Sequence, residues 1–161
     1  MAYLMLVAGI FFGDLRIKDY VERKFPEEGE YNGDNGRPGR RMRLRGLLRL
    51  RKHHNRGAFL NLGQGQRFIV AALSVFLTAV VAALFVLSLG AKGNALLKTG
   101  LAMLLGGAFS NTYDRLKRKY VVDYFSFTVG GKWLTRIVFN ISDFGIIFGA
   151  FLAALCVGGG E

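Results

Sequence analysis

Apolar residues along this chain collect into four stretches separated by polar segments of two different kinds. Ala2 to Phe12 is apolar but short. It reaches the ~20 residues that a bilayer-spanning helix needs only by running on through Asp14, Arg16, Lys18 and Asp19, which predicts a span over 2–21. Phe68 to Gly90 is 23 residues without a charge and predicts the clearest span, 68–90. After the short connection Ala91-Lys92-Gly93-Asn94, a third helix is predicted over 95–109. Lys98 lies near its start, placed to snorkel, and Gly100, Gly106, Gly107 and Ala108 are small enough for close helix approach. Ile137 to Val157 predicts the last helix, 137–157, followed by a Gly158-Gly159-Gly160-Glu161 tail. The pattern predicts an all-α polytopic membrane protein with four transmembrane helices, a single membrane domain over 1–161, and a small cap containing β structure.

The polar segments are a basic loop, 22–56, and a polar, β-like loop, 110–136. In the first, Phe25 to Gly39 carries two prolines, four glycines and four acids and reads as loop. Arg40 to Arg56 is arginine-rich. Leu44, Leu47 and Leu48 fit an amphipathic helix lying on an anionic surface, while Met42-Arg43-Leu44-Arg45 equally suits a strand. In the second, Tyr120-Val121-Val122 and Tyr124 to Val129 lead to a Gly130-Gly131 turn.

Composition agrees with a membrane class: 52% of residues are hydrophobic and 13% aromatic, and mean hydropathy is +0.29, high for a soluble domain of this length. Charge adds more. Lys+Arg is 22 against Asp+Glu 11, a net +11, yet after Asp34 the only carboxylates are Asp114, Asp123, Asp143 and Glu161. Acids kept inside an apolar half are costly and are usually retained for a function. The single cysteine, Cys156, excludes an intramolecular disulfide framework and behaves as a small hydrophobe in an apolar run. The N-terminus lacks a basic n-region and a small-residue cleavage site, so it does not read as a removable signal peptide. His53-His54 has no carboxylate or cysteine nearby and reads as solvated, with no metal expected. Gly63-Gln64-Gly65-Gln66 lacks the context of a dinucleotide loop. Asn140-Ile141-Ser142 matches a glycosylation sequon by accident, and Tyr124 and Trp133 read as interface anchors.

Asp14 and Lys18 share a helix face four residues apart. They are either a self-neutralising pair at the membrane boundary or a solvated helix end. Asp143 is placed about six residues into the last span, near the membrane surface, with Asn140 three residues before it. A re-entrant hairpin from Asp123 to Asp143 brings both carboxylates to one mouth. Two such acids share a proton: the ionised one acts as general base on water, and the protonated one polarises a carbonyl and later protonates the leaving group. That is metal-free, cofactor-free peptide hydrolysis. The same pair can instead hold an ion or a proton for transport.

The neighbouring residues narrow the choice. Gly106-Gly107-Ala108-Phe109-Ser110-Asn111-Thr112-Tyr113-Asp114-Arg115, then Val121-Val122-Asp123-Tyr124, then Phe139-Asn140-Ile141-Ser142-Asp143 resemble the ordered motifs of the lipoprotein signal peptidase (signal peptidase II) family, G-G-A-x-G-N-x-x-D-R, V-x-D-F and F-N-x-A-D. Asp14 to Lys18 is similar to the family's D-Q-x-T/S-K, and Asn55-Arg56-Gly57-Ala58-Phe59 to its N-x-G-A-A-F. The resemblance implies a bacterial inner-membrane aspartyl endopeptidase, multi-pass, that removes signal peptides from diacylglyceryl-modified prolipoproteins. It implies Asp123 and Asp143 as the catalytic pair and Asn55, Gly57, Asn111, Arg115 and Asn140 as residues that line the site and orient substrate. Asp14, Lys18 and Asp114 are then structural, with Asp114 holding the Arg115 fork. Implied partners are lipid-modified precursors and membrane lipids, with anionic headgroups at the arginine-rich segment, and no nucleic acid. The alternatives are an inactive homologue that binds lipidated proteins, or a small ion- or proton-coupled transporter.

Ser110, Ser142, Leu15 and Phe59 depart from the family pattern; Ser142 is placed either to hydrogen-bond near the acid pair or to face a neighbouring helix, and Phe59 to narrow the groove. Orientation also conflicts. The family places both long loops outside the cytoplasm, whereas Arg23 to Arg56 holds 11 Lys/Arg and Arg115 to Arg136 six, which by the positive-inside bias belong inside. The order of motifs is given the greater weight, and the cap is expected to be extracytoplasmic.

Overall fold

The computed structural model describes residues 1–25, 42–44, 47–57, 66–129, 131 and 134–158. Arg40, Arg41, Arg45, Phe59, Trp133, the turn residue Gly130, most of the 63–66 segment and the end of the tail lie outside them. The chain order is α1 (Ala2–Lys24), β1 (Met42–Leu44), β2 (Leu48–Asn55), α2 (Arg67–Gly90), α3 (Ala95–Lys117), β3 (Val121–Phe127) and α4 (Ile141–Gly158).

Helix α3 is the centre of the bundle and packs against α1, α2 and α4. The small residues expected to allow this do so. A Cβ at Gly100 would lie 2.8 Å from the Gly149 carbonyl, one at Gly149 would lie 2.5 Å from Leu104 N, and one at Gly107 would collide with the Ser142 carbonyl. The α3–α4 backbones therefore touch directly, as small-residue helix pairs do in lipid. Val7, Phe85, Leu101, Ala102 and Leu105 form the apolar core between α1, α2 and α3. Helix α2 buries only Thr78 and Phe85 and leaves Phe68, Phe76 and Leu87 largely exposed. A helix apolar all round with its side chains turned outward matches hydrocarbon, not water. It is the one helix among the described residues long and apolar enough to cross a membrane; Ile141–Cys156 is apolar but shorter.

Above the bundle lies an antiparallel sheet in the order β1-β2-β3. The arginine-leucine segment is thus a strand, not an amphipathic helix: Arg43 pairs with Arg49 and Leu50 with Phe125. Val21, Phe25, Val122 and Tyr124 form a second core that seals α1 to the sheet, with Leu50 and Phe125 packed against it. Phe139 then returns antiparallel to Phe125, exchanging backbone hydrogen bonds of 2.7–3.0 Å, so that the chain enters α4 beside β3.

Three boundaries differ from expectation. Helix α1 runs three residues beyond the predicted span, and α3 runs eight residues beyond 109, because Ser110, Asn111, Thr112 and Asp114, polar enough to read as loop, are buried and partnered. Helix α4 begins at Ile141 rather than 137, which places Asp143 in its first turn instead of about six residues into the helix.

Candidate active site

The site grows from a buried charge cluster. Asp14 and Lys18, one turn apart on α1, have no solvent exposure, so the pair is not a solvated helix end. Lys18 Nζ lies 2.8 Å from Asp14 and 3.0 Å from Asp114, and donates to Ser110 Oγ and Asn111 Oδ1. Asp14 accepts from Ser110, Ser142 and Tyr124 as well. Buried ions persist only when their remaining lone pairs and protons are also satisfied, and here they are. Asp114 pairs with Lys18 and Arg118 and accepts the Val122 amide; it is not the partner of Arg115 that its sequence neighbour suggests. Ser142 faces α1 and bonds Asp14, not the acid pair. Tyr124, expected at an interface, is buried: its hydroxyl donates to Asp14 at 2.7 Å and accepts from Ile141 N at 3.0 Å.

The cluster reaches the second pair of acids through one amide. Lys18 fixes the oxygen of Asn111, which turns its Nδ2 to donate to Asp143 Oδ1 at 3.0 Å. Asn140 then ties both acids together. Its Nδ2 donates to Asp123 Oδ1 at 2.7 Å, while its own backbone N–H donates to Asp143 Oδ2 at 3.0 Å and its Oδ1 accepts from Asp143 N at 2.9 Å. This last reciprocal pair is a capping box that starts α4, so Asn140 sits ahead of the helix rather than on its face. Asn55 holds the other oxygen of Asp123 at 3.2 Å and accepts from Gly57 N. Arg115 donates to the Gly57 carbonyl at 3.3 Å and to Asn111 O at 3.4 Å; its Nε has no hydrogen-bond partner among the described residues. Every residue expected to line the site is therefore gathered around Asp123 and Asp143, and Asp14, Lys18 and Asp114 lie directly behind it.

Burial drives the Asp123 carboxyl well above the usual carboxylate range, and the charge of Asp143 adds to this against the hydrogen bonds from Asn55 and Asn140. Asp123, Asp143, Asn111 and Arg115 line the polar end of a groove of about 740 Å³. Leu73, Leu77 and Val81 of α2 and Ile146 and Ile147 of α4 form its apolar flanks. On the far side of β2, His54 is not solvated as expected: it bonds Glu22 at 3.0 Å and stacks on Tyr120, which donates to the same carboxylate. Sequence reasoning missed that clamp, although His54 in β2 and Tyr120 just before β3 each stand next to motif residues.

Two buried acids bridged by one asparagine at the polar end of an otherwise apolar groove make the constellation of an aspartic-type hydrolase that works beside lipid. The comparisons give the same class. The family profile described as Signal peptidase (SPase) II matches residues 6–157. A protein named lipoprotein signal peptidase from Oleidesulfovibrio alaskensis is 35% identical over 70% of this chain and 72% of its own. One of that name from Shouchella clausii is 36% identical over 68% of each. One from Lactobacillus johnsonii is 29% identical over 93% of this chain and 87% of its own. The chain belongs to the signal peptidase II family. Its fold matches that of a bacterial membrane enzyme solved by the in meso method at 2.3 Å, with TM-score 0.78, 17% identity and coverage of 97% of this chain and 87% of that one.

Proposed function

We propose that this chain removes signal peptides from diacylglyceryl-modified prolipoproteins by aspartic hydrolysis, with Asp123 and Asp143 as the reacting acids. The observation that carries this is the one residue Asn140 bound to both carboxylates at the end of the groove, through its side-chain amide to Asp123 and its backbone N–H to Asp143. Asp143 sits in the first turn of α4, accepts N–H donors from Asn111 and Asn140, and takes the part of the ionised base. Asp123, more deeply buried, holds the shared proton. A water between them loses a proton to Asp143 as it attacks, while Asp123 protonates the carbonyl oxygen. Collapse returns a proton to the leaving amine. Arg115 Nε and the Asn55 and Asn111 amides orient the peptide, and Gly57 leaves room beside it. The apolar flank of the groove takes the signal helix and leaves the diacylglyceryl chains in lipid.

In this reading the chain is one membrane domain, 1–161, in the bacterial inner membrane. Its four helices all span, the polar α1 through internally paired charges, and the sheet lies outside the cytoplasm. The basic β1–β2 strands then meet anionic headgroups. Purified full-length protein in detergent, incubated with a diacylglyceryl-modified precursor, is expected to give a gel shift. Asp123→Asn and Asp143→Asn should each lower the rate by about 10²- to 10⁴-fold with folding retained. A wild type that binds precursor without cutting it, or that carries ions in vesicles through these acids, refutes the proposal.

A further inference from the structure

A register slip in the sheet decides which side chain stands beside Asp123. From Leu48 to Leu50, β2 pairs residue for residue with β3; past Leu50 it slips by one, so that His53 opposes Asp123 and Asn55 opposes Val121. Continued without the slip, the pairing of Leu50 with Phe125 would set Lys52 opposite Asp123. Bulges of this kind re-aim side chains next to active sites. Directly opposed residues on antiparallel strands share a face, with Cβ atoms about 4.5–5.5 Å apart. That face borders the groove, which His53, Asn55, Val121 and Asp123 all line. The alternate residues go the other way: Lys52 and His54 both reach Glu22 on α1. The slip thus sorts two adjacent histidines, one to a structural clamp and one to the acid pair.

We propose that His53 is a positioning residue of the acid pair: as a cation beside Asp123 it keeps the singly ionised, working form of the pair in place as the medium turns acid. The inference rests on Asp123 and Asp143 being the reacting acids. The charged groups facing the same groove are Asp143 from α4, Arg115 from α3 and Arg136 from the segment before α4, with Lys18 behind them. The arginines hold their charge throughout, so they set a constant background. An imidazole changes charge between about pH 5 and 8, and a cation within about 4–6 Å favours a carboxylate's ionised form. Among the described residues that line the groove, His53 is therefore the one neighbour outside the acid pair whose charge varies across the working range.

The test is the pH–rate profile of precursor cleavage by the detergent-solubilised full chain. In His53→Gln the acid limb of kcat/KM is expected to move up by about one pH unit, with the alkaline limb in place and KM within about threefold. His53→Lys should return the acid limb to its place or below it and pull the alkaline limb down, because its charge persists. Lys52→Gln should superimpose on wild type. A His53→Gln profile that superimposes on wild type, or a raised KM with both limbs unmoved, overturns the inference. A second reading needs no turnover: the carboxylic C=O stretch that appears on the acid limb and is lost in Asp143→Asn is titrated in wild type and in His53→Gln. A midpoint raised by about one pH unit supports the inference and an unmoved midpoint overturns it. Should wild type fail to cleave while that midpoint moves, the proposed function falls and the coupling of His53 to the acid pair stands.

Discussion

Replacing Asn140 by alanine separates what holds the fold from what holds the acids. Asn140 has no solvent exposure and makes contacts of two kinds. Its Oδ1 caps α4 through Asp143 N at 2.9 Å, a contact worth about 1 kcal/mol. Its Nδ2 donates to Asp123 at 2.7 Å, and losing a buried bond to a carboxylate costs about 1.5–3 kcal/mol. The alanine variant should therefore lose about 3 kcal/mol, which lowers the thermal midpoint by roughly 6–12 °C for a chain of this size. Cleavage should fall by at least about 100-fold, since Asp123 is then held by Asn55 alone and a displacement near 1 Å is enough for such a loss. Asn140→Ser divides the two roles. Serine caps a helix nearly as well as asparagine, so it should recover about 1 kcal/mol relative to alanine. It cannot reach Asp123, so cleavage should stay at the alanine level. Far-UV circular dichroism melts in detergent and precursor cleavage on the same samples read both quantities. If serine restores cleavage in step with stability, the side-chain amide bond to Asp123 is not what aligns the acids, and the reasoning fails.

Other substitutions test the surroundings. Lys18→Met strands Asp14 and Asp114 without their buried cation and should cost about 3–5 kcal/mol, seen as a collapse of the melting midpoint or of the folded yield. Gly149→Ala pushes a methyl to 2.5 Å from Leu104 N and should cost about 1–3 kcal/mol, whereas Gly9→Ala, with open space around it, should be neutral or up to about 1 kcal/mol stabilising; equal melts would show that α3 and α4 are not in backbone contact. Glu22 resists partial burial through the His54 and Tyr120 bonds, which hold its carboxyl below the ordinary value of 4.5. A depressed acid stabilises the fold above that value and loses the contribution as pH falls through its lower native one. Wild type should therefore lose more of its melting midpoint than Glu22→Gln between pH 5 and about 3, and parallel curves would refute the clamp.

The parts of the fold that could be read in the sequence are those in which burial and polarity agree. The charge-free run of α2 was found to within one residue, and the arginine-leucine alternation already contained the strand that forms. The end of α3 could not be read, because Ser110, Asn111 and Asp114 look like loop until Lys18 from α1 is known to lie against them, and no local pattern records a partner more than 90 residues away. Asp14 and Lys18 showed their pairing through their spacing, but whether they faced water depended on that same partner. The residues gathered around Asp123 and Asp143 are those that the ordered motifs pick out. What motifs did not give was who holds whom: Asp114 was set beside Arg115 by adjacency, whereas the helix turns it toward Lys18 and Arg118. Asn140 and Asp143 did carry a readable signal, since Asn-x-x-Asp ahead of an apolar run is a helix start. Reading it would have moved α4 to its true beginning.

The lysine of α1 touches four acceptors, three of them on a helix that is synthesised much later. Until α3 arrives, α1 has only Asp14 to offset that charge, a dipole too polar to rest alone in hydrocarbon. On the proposed four-span arrangement, the first segment is expected to stay near water or inside the insertion machinery until the third is made. An N-terminal fragment ending before α2 should stay carbonate-extractable, whereas one that includes α2, a helix long and apolar enough to cross a membrane, should not.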